Sequence, residues 1–85
     1  MTGFIRVANN SSGVIHVFVS KYNGGDDGWF KLDPGESDNW SRKEGAGGGW
    51  EVVGFRNTDD TNRSGRYVRV NTSIIFRGFD DIEVI

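Results

Sequence analysis

The 85-residue sequence has no cysteine, one proline, one histidine and one methionine. The absence of cysteine excludes a disulfide framework and any thiolate metal site, and it fits a reducing compartment. No stretch approaches the roughly 18 consecutive apolar residues that a membrane helix needs, and the opening MTGFIR lacks the apolar segment of a signal peptide. We therefore expect a cytoplasmic protein, or one released without a classical signal.

The length of the chain limits the number of domains and the size of the core. A chain of 85 residues forms one domain, here 1–85, since typical domains have roughly 100 to 150 residues. At this size folding buries only about 60 to 65% of the surface that the unfolded chain exposes, so the core is small. Association of subunits would add buried surface, and we expect a homo-oligomer, either a dimer or a tetramer.

The net charge of −2 argues against nucleic acid as a partner, because nucleic-acid-binding proteins usually carry a basic excess. The charge is unevenly distributed: between Arg56 and Arg77 there are five arginines, and three acidic residues follow, Asp80, Asp81 and Glu83. Two interpretations stay open. The charges pair on adjacent solvated strands, or the arginines form an anion site.

Short runs of β-branched and aromatic residues, each closed by Gly, Asn, Asp or Pro, predict an all-β fold. Eight strands are predicted, at residues 4–8, 14–20, 29–32, 37–42, 50–56, 66–70, 73–77 and 82–85. The expected architecture is a compact antiparallel β-sandwich, or a small barrel, of seven to eight short strands. Segment 14–20 is apolar on both faces, which indicates a central strand.

Two short segments have the composition of turns. The NNSSG segment at 9–13 predicts a hairpin between the first two strands. Pro34 and Gly35 occupy the positions favoured in a type II turn, which would join the third and fourth strands. Longer polar connections are predicted at 22–28, 43–49 and 57–65, and such loops often carry binding surfaces. The glycines at 45–49 do not match a phosphate-binding pattern.

Three tryptophans lie on successive predicted strands, which a meander would place side by side. Period-two alternation puts Phe30 and Leu32 on one face and Trp29 on the other. The same argument leaves Trp50 half covered. Trp40 is expected to be the buried one.

Partly exposed aromatic rings stack on the apolar faces of sugars, while neighbouring amide and carboxylate groups bind hydroxyls. We therefore expect a non-catalytic, lectin-like protein that binds glycans at a loop edge beside the glycine-rich segment 45–49. The candidate ligand-binding residues are Tyr22, Asn23, Asp26, Asp27, Trp29 and Trp50.

No enzyme activity and no cofactor or metal are expected. His16, the single histidine, lies in an apolar strand and is predicted to be a buried core residue, and no catalytic partner can be assigned to it by spacing. Asp26 and Asp27 would be the ligands if calcium assisted binding, but the segment lacks the other oxygen ligands of a calcium loop. The alternative to a calcium site is that Asp26 and Asp27 belong to a solvated acidic turn.

Three segments carry a resemblance to known proteins: VANNSSGVIHVFVSKY, WFKLDPGESDNWSR and GWEVVGFRN. Together they cover roughly residues 4–57 and resemble small cysteine-free all-β proteins of mushrooms, a group that includes lectins and the aegerolysin cytolysins. The resemblance implies a cytoplasmic, defence-type binding protein. It assigns no binding residue.

Two alternatives to glycan binding remain. The same aromatics, with Arg56, Arg66 and Arg69 as head-group contacts, would suit a membrane- or lipid-binding protein. A purely structural module would instead use its exposed aromatics as a subunit interface.

Overall fold

The computed structural model of the protein describes residues 2–22, 28–43 and 49–85. Within these ranges it contains eight β-strands and no helix, which confirms the predicted all-β sandwich. The strands are β1 Thr2–Asn9, β2 Ile15–Val19, β3 Phe30–Leu32, β4 Ser37–Lys43, β5 Trp50–Asn57, β6 Arg63–Arg69, β7 Ser73–Gly78 and β8 Asp81–Val84.

The strands form two four-stranded sheets. Sheet 1 has the order β4-β1-β7-β8, and sheet 2 has the order β3-β2-β5-β6. The expectation of a wholly antiparallel fold is wrong at one pair, because β1 and β7 run parallel, in a register that begins with Arg6 opposite Ser73. The chain reaches β7 only after completing β5 and β6 in sheet 2, so β1 and β7 are distant in sequence and need no tight turn between them.

The prediction that 9–13 is a hairpin turn is also wrong, since β1 and β2 belong to different sheets. The buried side chain of Asn9 explains the path. Its Nδ2 donates to the carbonyl oxygens of Gly13 and Leu32, at 2.9 and 3.0 Å, and its Oδ1 accepts from the backbone N–H of Ser11 at 3.0 Å. These bonds hold the connection across the end of the sandwich.

The type II turn at Pro34-Gly35 is confirmed. The backbone N–H of Glu36 donates to the carbonyl of Asp33 at 2.9 Å, and Gly35 has a φ of +85°, which glycine adopts without strain. The turn joins β3 to β4, as predicted, but it also leads from one sheet to the other. Trp50 lies on β5 of sheet 2 and Trp29 immediately precedes β3 of the same sheet, whereas Trp40 lies on β4 of sheet 1, so the predicted meander of three neighbouring tryptophan strands is wrong.

Alternation along the strands builds the core. On β2, Ile15, Val17 and Val19 are buried while the residues between them are partly exposed, and β2 lies inside sheet 2, as predicted. The inward residues of the two sheets meet at Phe55 and Phe76, whose ring centroids are 5.2 Å apart. Burying each such side chain stabilises the fold by about 1.5 to 3 kcal/mol. The buried cluster comprises Ile5, Val7, Ile15, Val17, Val19, Leu32, Trp40, Val53, Phe55, Val68, Ile74 and Phe76.

A buried polar network joins the sheets at one end. Glu51 on β5 is fully buried, and its Oε1 accepts from the hydroxyl of Ser20 at 2.6 Å and from the backbone N–H of Tyr22 at 3.0 Å. Arg42 on β4 reaches across the core, with Nε 3.9 Å from Glu51 Oε2 and with bonds to the carbonyls of Val19 and Ser20, both 2.9 Å. The network fixes Tyr22 and the first residues of β5, where the candidate site begins.

Candidate functional site on the outer face of sheet 2

The outer face of sheet 2 carries aromatic and basic side chains together. The pairing of β2, β3, β5 and β6, with inward residues buried, assigns the outward positions of these strands. No outward position described on these strands has a carboxylate. They are occupied by His16, Phe18, Lys31, Trp50, Val52, Gly54, Arg56, Arg63, Gly65, Tyr67 and Arg69.

Trp29 lies along this face just before β3. Its ring centroid is 5.5 Å from that of Phe18, and its Cη2 would be 3.5 Å from a Cβ built on Gly54. The missing side chain at Gly54 lets the indole lie close to the sheet. Trp29 remains 39% exposed, which confirms its predicted outward orientation.

Trp50 and Tyr67 form a second aromatic pair on the same face. Their ring centroids are 5.2 Å apart with the planes inclined by 26°, a stacked arrangement, and the guanidinium carbon of Arg69 lies 5.9 Å from the Trp50 ring. Trp50 is 39% exposed and Tyr67 is 64% exposed. Tyr67 is therefore the more open ring, and the half-covered state predicted for Trp50 is confirmed.

Basic side chains cross the sheet in a single row. Lys31 on β3 is opposite His16 on β2, His16 is opposite Arg56 on β5, and Arg56 is opposite Arg63 on β6. Neighbouring strands lie about 4.8 Å apart, so the row extends about 14 Å. We name this set, Lys31, His16, Arg56 and Arg63, the basic row. Its two arginines also contact Trp29, with guanidinium carbons 5.0 Å and 5.5 Å from the ring centroid.

Among the described residues, carboxylates form ion pairs with the two ends of the basic row. Arg63 makes a bidentate ion pair with Asp60, in which Nε and Nη2 donate to Oδ1 and Oδ2 at 2.7 and 2.8 Å. These hydrogen bonds lower the pKa of Asp60. Lys31 lies 3.6 Å from Asp33. Arg56 forms none of the ion pairs between described residues and instead donates to the carbonyl of Asn57 at 3.2 Å.

The single convergent site expected from the sequence is divided in the structure. Gly54, which lies beneath Trp29, is the fourth residue after Trp50 on β5. In an extended strand this spacing is about 13 Å. The two indoles thus share a face but belong to separate clusters, Trp29 with Phe18 and Trp50 with Tyr67.

Tyr22 lies at the same end of the sheet as Trp50. It is 75% exposed, and its backbone N–H is bonded to Glu51, the neighbour of Trp50. Three further candidate residues, Asn23, Asp26 and Asp27, lie outside the described residues, as do the glycines at 45, 47 and 48. Trp40 is 5% exposed, as predicted for the buried tryptophan.

His16 is not the buried core residue that its apolar neighbours predicted. It is partly exposed on the outer face, because the apolar side chains that flank it on that face are themselves only half covered. Desolvation, Arg56 and Lys31 lower the pKa of His16 in that order of importance. Its Nε2 is 3.3 Å from the hydroxyl of Thr58. In the part of the chain that the structure describes, no three acidic or histidine side chains are grouped to hold a metal ion.

Several residues of this face were not identified from the sequence as site residues, above all Tyr67 and Arg63. The signal was present in β6, where the buried Val68 requires that Tyr67 and Arg69 point outward. Their position beside Trp50 depends on the pairing of β5 with β6, which places Val52 opposite Tyr67. That register is not readable from either strand alone.

Comparison with protein-family models, with curated proteins and with solved structures finds no match for this chain. Over residues 2–22, 28–43 and 49–85, no helix has the length and apolar character required to cross a bilayer.

Proposed function

We propose that the protein binds carbohydrate without catalysis, on the outer face of sheet 2. The observation that supports this most directly is the placement of three partly exposed aromatic rings, Trp29, Trp50 and Tyr67, on one face of a rigid sheet. Flat rings offer apolar area at little cost in conformational entropy, which suits the apolar face of a sugar ring. The arginines beside them donate hydrogen bonds to hydroxyl or acidic groups of a sugar.

Three candidate residues that follow Tyr22 in the sequence belong to this proposal. The backbone N–H of Tyr22 is bonded to Glu51, the neighbour of Trp50. Asn23, Asp26 and Asp27 would follow it and supply hydrogen-bond groups to sugar hydroxyls. We retain a cytoplasmic location and a homo-oligomeric state as parts of the proposal, because several weak sites on one assembly raise avidity for glycans.

The test is a glycan array followed by titration calorimetry with the best ligand. We expect Trp50→Ala and Tyr67→Ala to weaken binding roughly ten-fold or more, since a hot-spot aromatic contributes at least that much. Phe4→Ala is the matched control, because Phe4 is 55% exposed but lies on the outer face of sheet 1. Equal loss in all three variants, or no binding to any glycan by the wild type, would refute the proposal.

A second function is favoured by one observation, the presence of Arg56 and Arg69 beside exposed indoles. Aromatic and basic side chains on one face also suit an anionic membrane surface. Arg66, the third arginine predicted for head-group contact, is opposite the inward-facing Val53 and so lies on the other side of β6. Sedimentation with anionic liposomes distinguishes this candidate, and a homo-oligomer that binds neither glycan nor lipid would favour a structural module.

A further inference from the structure

Resting on the proposed function, we infer that the outer face of sheet 2 selects acidic saccharides, those with carboxylate or sulfate groups. The inference depends on the basic row and its position beside Trp29. The row brings Lys31, His16, Arg56 and Arg63 into register across all four strands of the sheet. Arg56 and Arg63 are like charges directly opposite each other on adjacent strands, an arrangement that destabilises a sheet.

Among the described residues no carboxylate forms an ion pair at the centre of the row, although the charge of Arg56, after the hydrogen bond from Arg63, contributes to the lowered pKa of Asp60. Asp33 and Asp60 lie near its two ends, at Lys31 and Arg63. Arg56 lies between them, and among the described residues its guanidinium donates to the backbone carbonyls of Asn57 and Thr58 while it packs against the Trp29 ring. A carboxylate or sulfate on a ligand would meet an arginine that has no carboxylate partner among the described residues. Such charge-assisted hydrogen bonds are roughly twice as strong as neutral ones.

Each exposed indole has an arginine beside it. Trp29 has Arg56 and Arg63 within 5.5 Å of its ring centroid, and Trp50 has Arg69 at 5.9 Å. A sugar ring in contact with either indole would therefore have a guanidinium within reach of its acidic substituent. Because the two clusters are about 13 Å apart along β5, a ligand that contacts both must be an oligosaccharide.

The face contrasts with the chain as a whole and with sheet 1. The net charge of the protein is −2, yet the outward strand positions described on sheet 2 contain no carboxylate. On the outer face of sheet 1, Arg77 is paired with Glu83 at 2.6 Å and lies 3.7 Å from Asp81. Charge complementarity of this kind sets specificity and association rate more than total affinity.

The aromatic rings favour a saccharide over a bilayer. Trp29 packs against Phe18 with the ring planes inclined by 41° and lies over Gly54, and Trp50 is stacked on Tyr67, so neither indole projects freely from the sheet. A membrane-binding surface must bury its apolar groups about 5 to 10 Å into the interface. Rings that lie along the surface suit a ligand that lies along it as well.

The experiment uses two matched pairs of probes on the full chain. The first pair is hexagalacturonate and its methyl ester, and the second is a heparin-derived hexasaccharide and its desulfated form. We expect at least one acidic probe to bind roughly ten-fold or more tightly than its neutralised form, the size of one charge-assisted hydrogen bond. The preference should fall as ionic strength rises, because salt screens exposed charges.

Three variants test whether the preference for acidic probes arises from the outer face of sheet 2. Arg56→Gln and, independently, Arg69→Gln should remove most of the acidic preference. Arg6→Gln is the matched control, because it removes the same charge from the outer face of sheet 1, where the Arg6 guanidinium donates to the hydroxyl of Ser37 at 3.2 Å. Thermal unfolding establishes that each variant is folded.

The outcomes distinguish failure of the acidic preference from failure of carbohydrate binding itself. Equal binding of acidic and neutralised probes, unaffected by Arg56→Gln and Arg69→Gln, would overturn the acidic preference and leave carbohydrate binding intact. An equal loss with Arg6→Gln would also overturn it, since general charge would then suffice. Failure of every saccharide would overturn both. If anionic vesicles or a single-stranded oligonucleotide bound through Arg56 while no saccharide did, the ligand class would be wrong.

Discussion

His16 and Arg56 are directly opposite each other on β2 and β5, and both side chains are on the outer face of sheet 2. Lys31 is opposite His16 on its other side, on β3, and the hydroxyl of Thr58 is 3.3 Å from its Nε2. The imidazole is thus partly desolvated and is flanked by two cations, and desolvation, then Arg56 and Lys31, lower its pKa. The single histidine of the chain therefore reports the electrostatic potential of this face.

The first prediction uses that property. Arg56→Gln removes one of the cations that lower the pKa of His16, so the pKa should rise toward its ordinary value of about 6.5. An NMR titration of the imidazole measures it without ambiguity, because the chain has one histidine. Arg6→Gln serves as the control and should leave the titration unchanged. An unchanged pKa in Arg56→Gln would mean that the basic row is not formed in solution.

A second prediction concerns stability at acidic pH. The pKa of His16 is lower in the folded than in the unfolded state, so the unfolded state binds more protons between the two values and stability rises with pH there. The contribution is fully present above about pH 6.5 and is lost as the pH falls toward the folded-state pKa. Urea denaturation across this range should show the loss in the wild type and a flatter profile in His16→Gln. Parallel profiles would contradict the assignment.

A third prediction tests the buried network of Arg42 and Glu51. Glu51→Ala removes the buried carboxylate beside Arg42 and the acceptor of Ser20 and Tyr22, so the free energy of unfolding should fall by about 3 to 5 kcal/mol. Arg63→Ala should cost much less, because its ion pair is exposed to solvent.

The double variant Arg42→Met/Glu51→Leu completes the cycle. It should be destabilised by less than the sum of the single changes Arg42→Met and Glu51→Leu, since the two opposite charges are then removed together. Strict additivity in urea denaturation would show that the two side chains are not coupled. Glu51 also accepts a hydrogen bond from the backbone N–H of Tyr22. Loss of Glu51 is therefore expected to weaken saccharide binding at the Trp50 end of the outer face of sheet 2.

Period-two alternation predicted the outward orientation of Trp29 and Trp50, because successive residues of a strand point to opposite faces of the sheet. It failed where the outcome depends on distant residues. The connection from β1 to β2 passes from sheet 1 to sheet 2, and the side chain of Asn9 holds it by donating to the carbonyl of Leu32. The composition of segment 9–13 does not indicate this distant bond. Tyr67 was overlooked because its place beside Trp50 is set by strand register. His16 was misplaced because flanking apolar residues do not show whether their face is covered.

The last prediction contrasts two glycines within strands. A Cβ on Gly3 would clash with Asn71 Oδ1 and lie 2.7 Å from Val70 Cγ1, in a place where Asn71 also accepts from the backbone N–H of Phe4. Gly3→Ala should therefore lower the unfolding free energy by about 1 to 3 kcal/mol.

Gly54→Ala has the opposite expectation. Its Cβ would meet Trp29 and Phe18 at 3.5 and 3.6 Å, which is ordinary van der Waals contact. Alanine also restricts the unfolded chain more than glycine does, so stability should stay the same or rise by up to about 1 kcal/mol. Urea denaturation of both variants measures the difference. A larger loss in Gly54→Ala than in Gly3→Ala would mean that the Trp29 indole is held more tightly against the sheet than these distances indicate, and that glycine is required there to seat it.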